Sequence, residues 1–132
     1  RGKLTEIKGR IGGVEVEGHR QFNPGWHLAV DLRNMVLVSE CVAQAALLRT
    51  ESRGGHTRDD YPSMEAEWRN TLLVCSVVGD MSTHPDSVVP DVTVTREPQL
   101  PMRPELLELF DIDELAKYYT DAELAEHPGR KA

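Results

Sequence analysis

An uninterrupted stretch from about Trp26 to Thr50, containing neither glycine nor proline, constrains this chain more than any other feature. Leu28, Leu32, Met35, Val42 and Ala46 recur there at three- and four-residue steps. Ser39 falls on the same stripe, and Val36, Ala43 and Leu47 widen it. That period predicts a helix roughly 37 Å long at ~1.5 Å rise per residue. The break Phe22-Asn23-Pro24-Gly25 precedes it, with Asn23 placed to cap the helix and Pro24 at its first position, where a missing N–H costs nothing. The small residues Ala43, Ala45 and Ala46 leave room for another backbone. A single long helix cannot bury its own stripe, so other helices or a further domain are expected to cover part of it.

The flanking segments read less regularly. Residues 1–10 resemble the last turns of a helix that ends at Gly12-Gly13. Because the chain opens at Arg1 in mid-pattern, it is expected to be a piece of a larger protein. Arg53-Gly54-Gly55 ends the long helix, and a polar loop runs to Pro62. A short acidic helix or turn follows around Met64 to Asn70. Thr71–Val78 and Val88–Arg96 read as two antiparallel strands with a connection from Gly79 to Ser87, and Pro90 puts the second strand on an edge or starts it just afterwards. After Pro98 and Pro101, short helices are expected at Pro104–Phe110 and Asp113–Tyr119, with a further turn at Asp121–Glu126. Thr120 and Glu123 have capping-box spacing, and the tail Pro128–Ala132 is expected to fray.

Composition narrows the function. Hydrophobic residues at 39% and charged residues at 28% are those of an ordinary globular domain, and a formal charge of -7 argues against a nucleic-acid binder. No apolar run approaches the ~20 residues of a membrane helix. Cys41 and Cys75 belong to no CxxC pair and are expected to be buried, reduced thiols of a cytoplasmic protein. His19, His27, His84 and His127 are scattered without metal-ligand spacing, and Gly12-Gly13 lacks the dinucleotide-binding pattern. The acidic residues Asp111, Asp113, Glu114, Asp121, Glu123 and Glu126 read as a solvated face.

The densest chemistry lies in Thr50 to Pro62 (TESRGGHTRDDYP). Arg53 and Arg58 offer guanidinium forks that suit carboxylates or phosphates, Asp59 and Asp60 can pin those arginines, and His56 can donate or carry a proton. Gly54-Gly55 lets the backbone approach another surface closely. Two readings stay open on chemistry alone: an anion-binding or catalytic loop, or a salt-bridged loop that docks on another domain.

Arg49-Thr50-Glu51-Ser52-Arg53-Gly54-Gly55-His56-Thr57-Arg58, followed by Asp60-Tyr61-Pro62, resembles the signature of the flavoprotein subunit of succinate dehydrogenases and fumarate reductases. The preceding Asp31-Leu32-Arg33-Asn34-Met35, the later Trp68-Arg69-Asn70-Thr71-Leu72 and the closing Glu97-Pro98 are similar to that family too. The resemblance covers most of residues 1–110, and L-aspartate oxidase shares a looser version of it. Ser63-Met64-Glu65-Ala66-Glu67 departs from the acidic run frequent in the family, as do the insertion around Gly79 to Pro90 and the extension from Leu106 onward.

The resemblance implies a mainly α, three-helix-bundle-like (spectrin-repeat-like) C-terminal domain with a truncated first helix, then a small antiparallel β-hairpin and short C-terminal helices. The expected parts are 1–70 with the loop, 71–98 for the hairpin and 99–132 for the remainder, as one structural domain. It further implies a whole subunit that binds FAD, usually covalently through a histidine, and interconverts succinate and fumarate. The catalytic and flavin-linking motifs lie in the FAD-binding and capping domains, so no catalytic, cofactor-binding or metal-ligating residue is expected here. Arg53, Gly54, Gly55, His56, Arg58 and Asp60 become candidates for docking against the FAD-binding domain. The implied partners are the subunit's own FAD-binding and capping domains and an iron–sulfur subunit, without nucleic acid or direct membrane insertion. The implied location is peripheral, at the cytoplasmic face of the membrane. The alternatives are the matching domain of an L-aspartate-oxidase-like flavoprotein and a free-standing module that binds acidic ligands through Arg53 and Arg58.

Overall fold

A computed structural model describes residues 2–79 and 88–125. Its elements are α1 (Gly2–Ile11), α2 (Pro24–Leu48), α3 (Ala66–Arg69), β1 (Thr71–Val77), β2 (Val92–Pro98), α4 (Pro104–Leu107), α5 (Ile112–Leu115) and α6 (Asp121–Ala125). The fold is mainly helical, with one two-stranded sheet and short C-terminal helices, as expected. Of the expected bundle, α1 and α2 are present and packed on each other. The backbone pairs Val78 N–H to Asp91 C=O (2.8 Å) and Gln99 N–H to Asn70 C=O (2.9 Å) give the strands their antiparallel register. The expected connection Gly79–Ser87 lies outside the described residues beyond Gly79, as do His84, Glu126, His127 and the tail Pro128–Ala132.

The chain divides into two compact units, residues 1–48 with 73–95, and residues 49–72 with 96–132. In the first, α1 closes at a turn in which Gly13 N–H reaches Arg10 C=O at 3.1 Å. The start of α2 follows the cap chemistry of its sequence: Asn23 Oδ1 accepts the Gly25 N–H at 3.0 Å, while its Nδ2 donates to Glu17 C=O at 2.9 Å. Gly25 fits closely there, since a Cβ would sit 3.1 Å from Asn23 Oδ1 and 3.2 Å from Val16 Cγ1.

The core of this unit is Ile11, Val36 and Val89, with Leu32 and Leu37 packed against it. Polar groups tie the same elements together. Lys8 Nζ bonds Glu40 at 2.7 Å, Asp91 at 2.8 Å and Pro90 C=O at 3.1 Å, and Gln44 Nε2 donates to Val92 C=O at 3.1 Å. Burial lowers the Lys8 pKa, but the bonds and charges of Asp91 and Glu40 outweigh it and leave that pKa above the usual lysine value.

Two expectations need correction. The covered side of α2 is turned from the expected stripe: α1 and Val88–Val92 approach along Leu32, Val36 and Glu40, leaving Leu28, Met35 and Val42 exposed at 65%, 57% and 63%. The second strand begins at Val92, just after Pro90, the later of the two starts that Pro90 allows, because proline has no N–H for the ladder. Cys75 is exposed rather than buried, and Cys41 is half-buried, since that segment of β1 carries exposed residues on both sides.

In the second unit Leu115 of α5 and Leu124 of α6 are both buried. The capping box is formed: Thr120 N–H and Oγ each bond Glu123 Oε2 at 2.8 Å, and Glu123 N–H reaches back to Thr120 Oγ at 3.4 Å. Arg69 ties this end down, donating to Tyr118 C=O and to the Glu123 carboxylate with its guanidinium 4.1 Å from the Tyr119 ring centre. The expected helices at 104–110 and 113–119 are shorter than their patterns, because turns at Leu107–Phe110 and Leu115–Tyr119 replace continued helix.

Candidate functional site

The loop after α2 is organised around a carboxylate that sequence reasoning placed in the motif without a role. Glu51 is completely buried. A bare buried carboxylate is costly, so it must be paired and hydrogen-bonded. Arg53 grips it with two edges, Nε to Oε1 at 2.9 Å and Nη2 to Oε2 at 3.0 Å. Arg49 Nη1 shares Oε1, and the Glu65 N–H donates to Oε2 at 3.0 Å. Burial pushes the Glu51 pKa up, but Arg53, the Glu65 N–H and Arg49 outweigh it and bring the value down to about 2. A signal for this hub was present: Arg49, Glu51 and Arg53 alternate, and in extended backbone residues two apart share a side.

The two arginines then carry the clamp outward. Arg53 Nη2 also donates to Glu65 C=O at 3.1 Å. Arg49 donates to Trp68 C=O at 3.4 Å and Thr71 C=O at 3.3 Å, with its guanidinium 5.0 Å from the Trp68 ring centre. Trp68 is buried, its Nε1 donates to Thr50 Oγ1 at 3.0 Å, and the Arg96 guanidinium lies 4.2 Å from its ring centre. The aromatic body fills the space and its polar edge is satisfied.

Beyond the clamp the chain makes a tight turn. Arg53 N–H bonds His56 C=O at 2.8 Å and His56 N–H returns to Arg53 C=O at 3.0 Å. Gly54 takes φ 59°, in the left-handed region that favours glycine. Gly54 and Gly55 are exposed, and a Cβ on either would meet nothing within 4 Å. The second flank is held by Ser52, whose Oγ accepts from Arg58 N–H at 2.8 Å and donates to Tyr61 C=O at 2.8 Å.

Arg58 places its fork on Asp60, at 2.8 Å and 2.5 Å, with its guanidinium 4.6 Å from the Tyr61 ring centre, and donates to Arg49 C=O at 3.0 Å. Bonding to Asp60 raises the Arg58 pKa, and bonding to Arg58 lowers that of Asp60. His56 has a ring nitrogen 3.4 Å from Arg49 C=O.

The structure therefore gathers all six singled-out residues on one loop, with the Arg53 fork turned inward to the buried Glu51 and the Arg58 fork paired at the surface with the exposed Asp60. The glycine turn faces solvent, as do Asp59, Asp60 and Tyr61. A cavity of about 570 Å³ in the same unit is lined by Arg53, Arg69, Asn70, Phe110, Tyr118 and Tyr119, among others. Its arginines bond Glu51 and Glu123. Among the described residues no group of three or more His, Cys, Asp or Glu is placed to hold a metal ion, and no helix is long and apolar enough to cross a membrane.

Residues 1–104 match the family described as fumarate reductase flavoprotein C-term. Among solved structures, the chain is similar to Sdh1 of Mycobacterium smegmatis, determined in complex with UQ1, with a TM-score of 0.78 and 62% identity over 96% of this chain and 20% of that one. Among curated proteins, the fumarate reductase flavoprotein subunit of Helicobacter pylori is 45% identical over 46% of this chain and 9% of its own length. An L-aspartate oxidase of Pseudomonas aeruginosa is 45% identical over 39% of this chain and 10% of its own. The chain thus spans a fifth or less of the proteins it resembles here.

Proposed function

The chain belongs to the fumarate reductase flavoprotein C-terminal family, and from that membership we propose that it is the C-terminal scaffold of an FAD-dependent subunit interconverting succinate and fumarate. In this reading it has no activity alone. It supports the FAD-binding and capping domains of the same subunit, which works with an iron–sulfur partner, peripherally at the cytoplasmic face of the membrane. When bound in those domains, FAD supplies the hydride acceptor or donor. The residues of this chain hold the loop that docks against them.

The observation that carries the reading is the inward clamp of Glu51 by Arg53 and Arg49. It spends the charged groups on internal rigidity and leaves a preformed, side-chain-free turn at Gly54-Gly55 as the outward surface. A flavin site depends on positioning by a rigid support, and a turn bare of side chains lets another backbone come close. The exposed apolar residues Leu28, Met35, Val38 and Val42 on α2 add a surface of the kind a larger subunit covers.

The L-aspartate oxidase alternative is favoured less, because those relatives match shorter parts of the chain than the mycobacterial Sdh1 does. The test is Arg53→Ala in the full-length subunit. Lower covalent flavin content and lower turnover are expected, with succinate rather than L-aspartate as the oxidised substrate. Unchanged flavin content, stability and turnover would remove the docking role.

A further inference from the structure

We propose that Cys41 and Cys75 form a reversible dithiol–disulfide pair, oxidised by low-molecular-weight disulfides such as glutathione disulfide, that joins α2 to β1. The two residues lie 34 positions apart, yet the Cys75 thiol donates to the Cys41 backbone carbonyl at 3.8 Å. That contact puts the Cys75 sulfur beside the main chain of Cys41, and a disulfide requires such close neighbours, with Cα atoms about 4.4–6.8 Å apart. Both thiols are free.

Their exposures suit a division of labour. Cys75 is exposed and meets the oxidant; Cys41 is half-buried beside it. Desolvation and the neighbouring Cys75 hold the Cys41 thiol above its ordinary range, so it stays protonated and unreactive toward solvent until its partner is activated. No third His, Cys, Asp or Glu joins them among the described residues in a metal-holding group, which favours sulfur exchange over metal capture.

The chemistry balances in two exchanges. The Cys75 thiolate attacks one sulfur of glutathione disulfide, forming a mixed disulfide and releasing one glutathione thiolate. The Cys41 thiol then gives up its proton to solvent and attacks Cys75 Sγ, and the second glutathione leaves as thiolate. The protein loses two electrons and two protons, and glutathione disulfide is reduced to two glutathione molecules. The product ties the middle of the long helix to the strand, and a cross-link between distant positions raises the unfolding midpoint.

The test equilibrates the full chain with graded ratios of glutathione disulfide to glutathione, quenches with a maleimide, and weighs the intact protein. The expected product is lighter than the reduced chain by two hydrogen atoms, takes neither maleimide nor glutathione, and reverts with dithiothreitol. Peptide mapping should join the Cys41 and Cys75 peptides within one chain. Cys41→Ser should stop at a single glutathione adduct on Cys75. Three outcomes overturn the proposal: wild-type chain that also stops at that adduct, a link between two chains, or both thiols still open to maleimide at the most oxidising ratio. The wild-type map decides on its own if the serine variant does not fold.

Discussion

Arg53 and Glu51 meet edge to edge, Nε on Oε1 at 2.9 Å and Nη2 on Oε2 at 3.0 Å, with the carboxylate wholly out of solvent. Removing the carboxylate strands the charges of Arg49 and Arg53 and an N–H. Glu51→Ala should therefore destabilise the chain by about 3–5 kcal/mol, the usual cost of breaking a buried pair. Urea unfolding checks it, and a loss under about 1 kcal/mol would show that the clamp is dispensable.

The same pair sets an acid dependence. The folded Glu51 pKa is depressed from 4.5 to about 2. A depressed acid contributes stability that is fully present above its unfolded pKa and is lost as pH falls through the folded one. Stability should fall between about pH 4.5 and 2, by roughly 3 kcal/mol from this group. Unfolding free energies at successive pH values check it, and Glu51→Gln should flatten the slope in that window.

The start of α2 rests on a local cap. Asn23→Ala removes the acceptor for Gly25 N–H and should cost about 1 kcal/mol. Gly25→Ala should also destabilise, because its methyl would press on Asn23 Oδ1 and Val16. Thermal unfolding followed by circular dichroism reports both, with reduced helicity expected for the first.

Two neighbours on α2 should behave oppositely. Val36 is in the core and Met35 is 57% exposed. Val36→Ala should cost on the order of 1–3 kcal/mol through the cavity it leaves, whereas Met35→Ser should stay within about 0.5 kcal/mol in this chain. Under the scaffold reading, Met35→Ser becomes costly in the full-length subunit, as measured by flavin retention on heating. Equal tolerance in both contexts would count against a covered stripe.

What was legible in the residues was local. The Asn23 cap and the Thr120–Glu123 box depend on neighbours within a few positions, and each formed as its pattern predicts, whereas α2 ends at Leu48 rather than at Arg53-Gly54-Gly55, whose glycines turn a separate loop. The side of α2 that packs was not legible, because apolar residues lie nearly all around it. The choice falls to Ile11 and Val89, which approach from distant sequence. The pairing of the loop's arginines was half legible. Asp60 does hold Arg58, but Arg53 turns to Glu51, a choice made by burial that charge spacing alone does not report.

The two polar hubs differ in how soon a growing chain can close them. Glu51 finds its protein partners 2 and 14 positions away. Lys8 must wait for acceptors 82 and 83 positions downstream. Closing a short loop loses less chain entropy than closing a long one, and nearby contacts form faster. During synthesis the arginine–glutamate knot can be complete before Val89 to Asp91 exist, so the outward turn is in its final shape while the helices are still waiting for the segment that finishes their core.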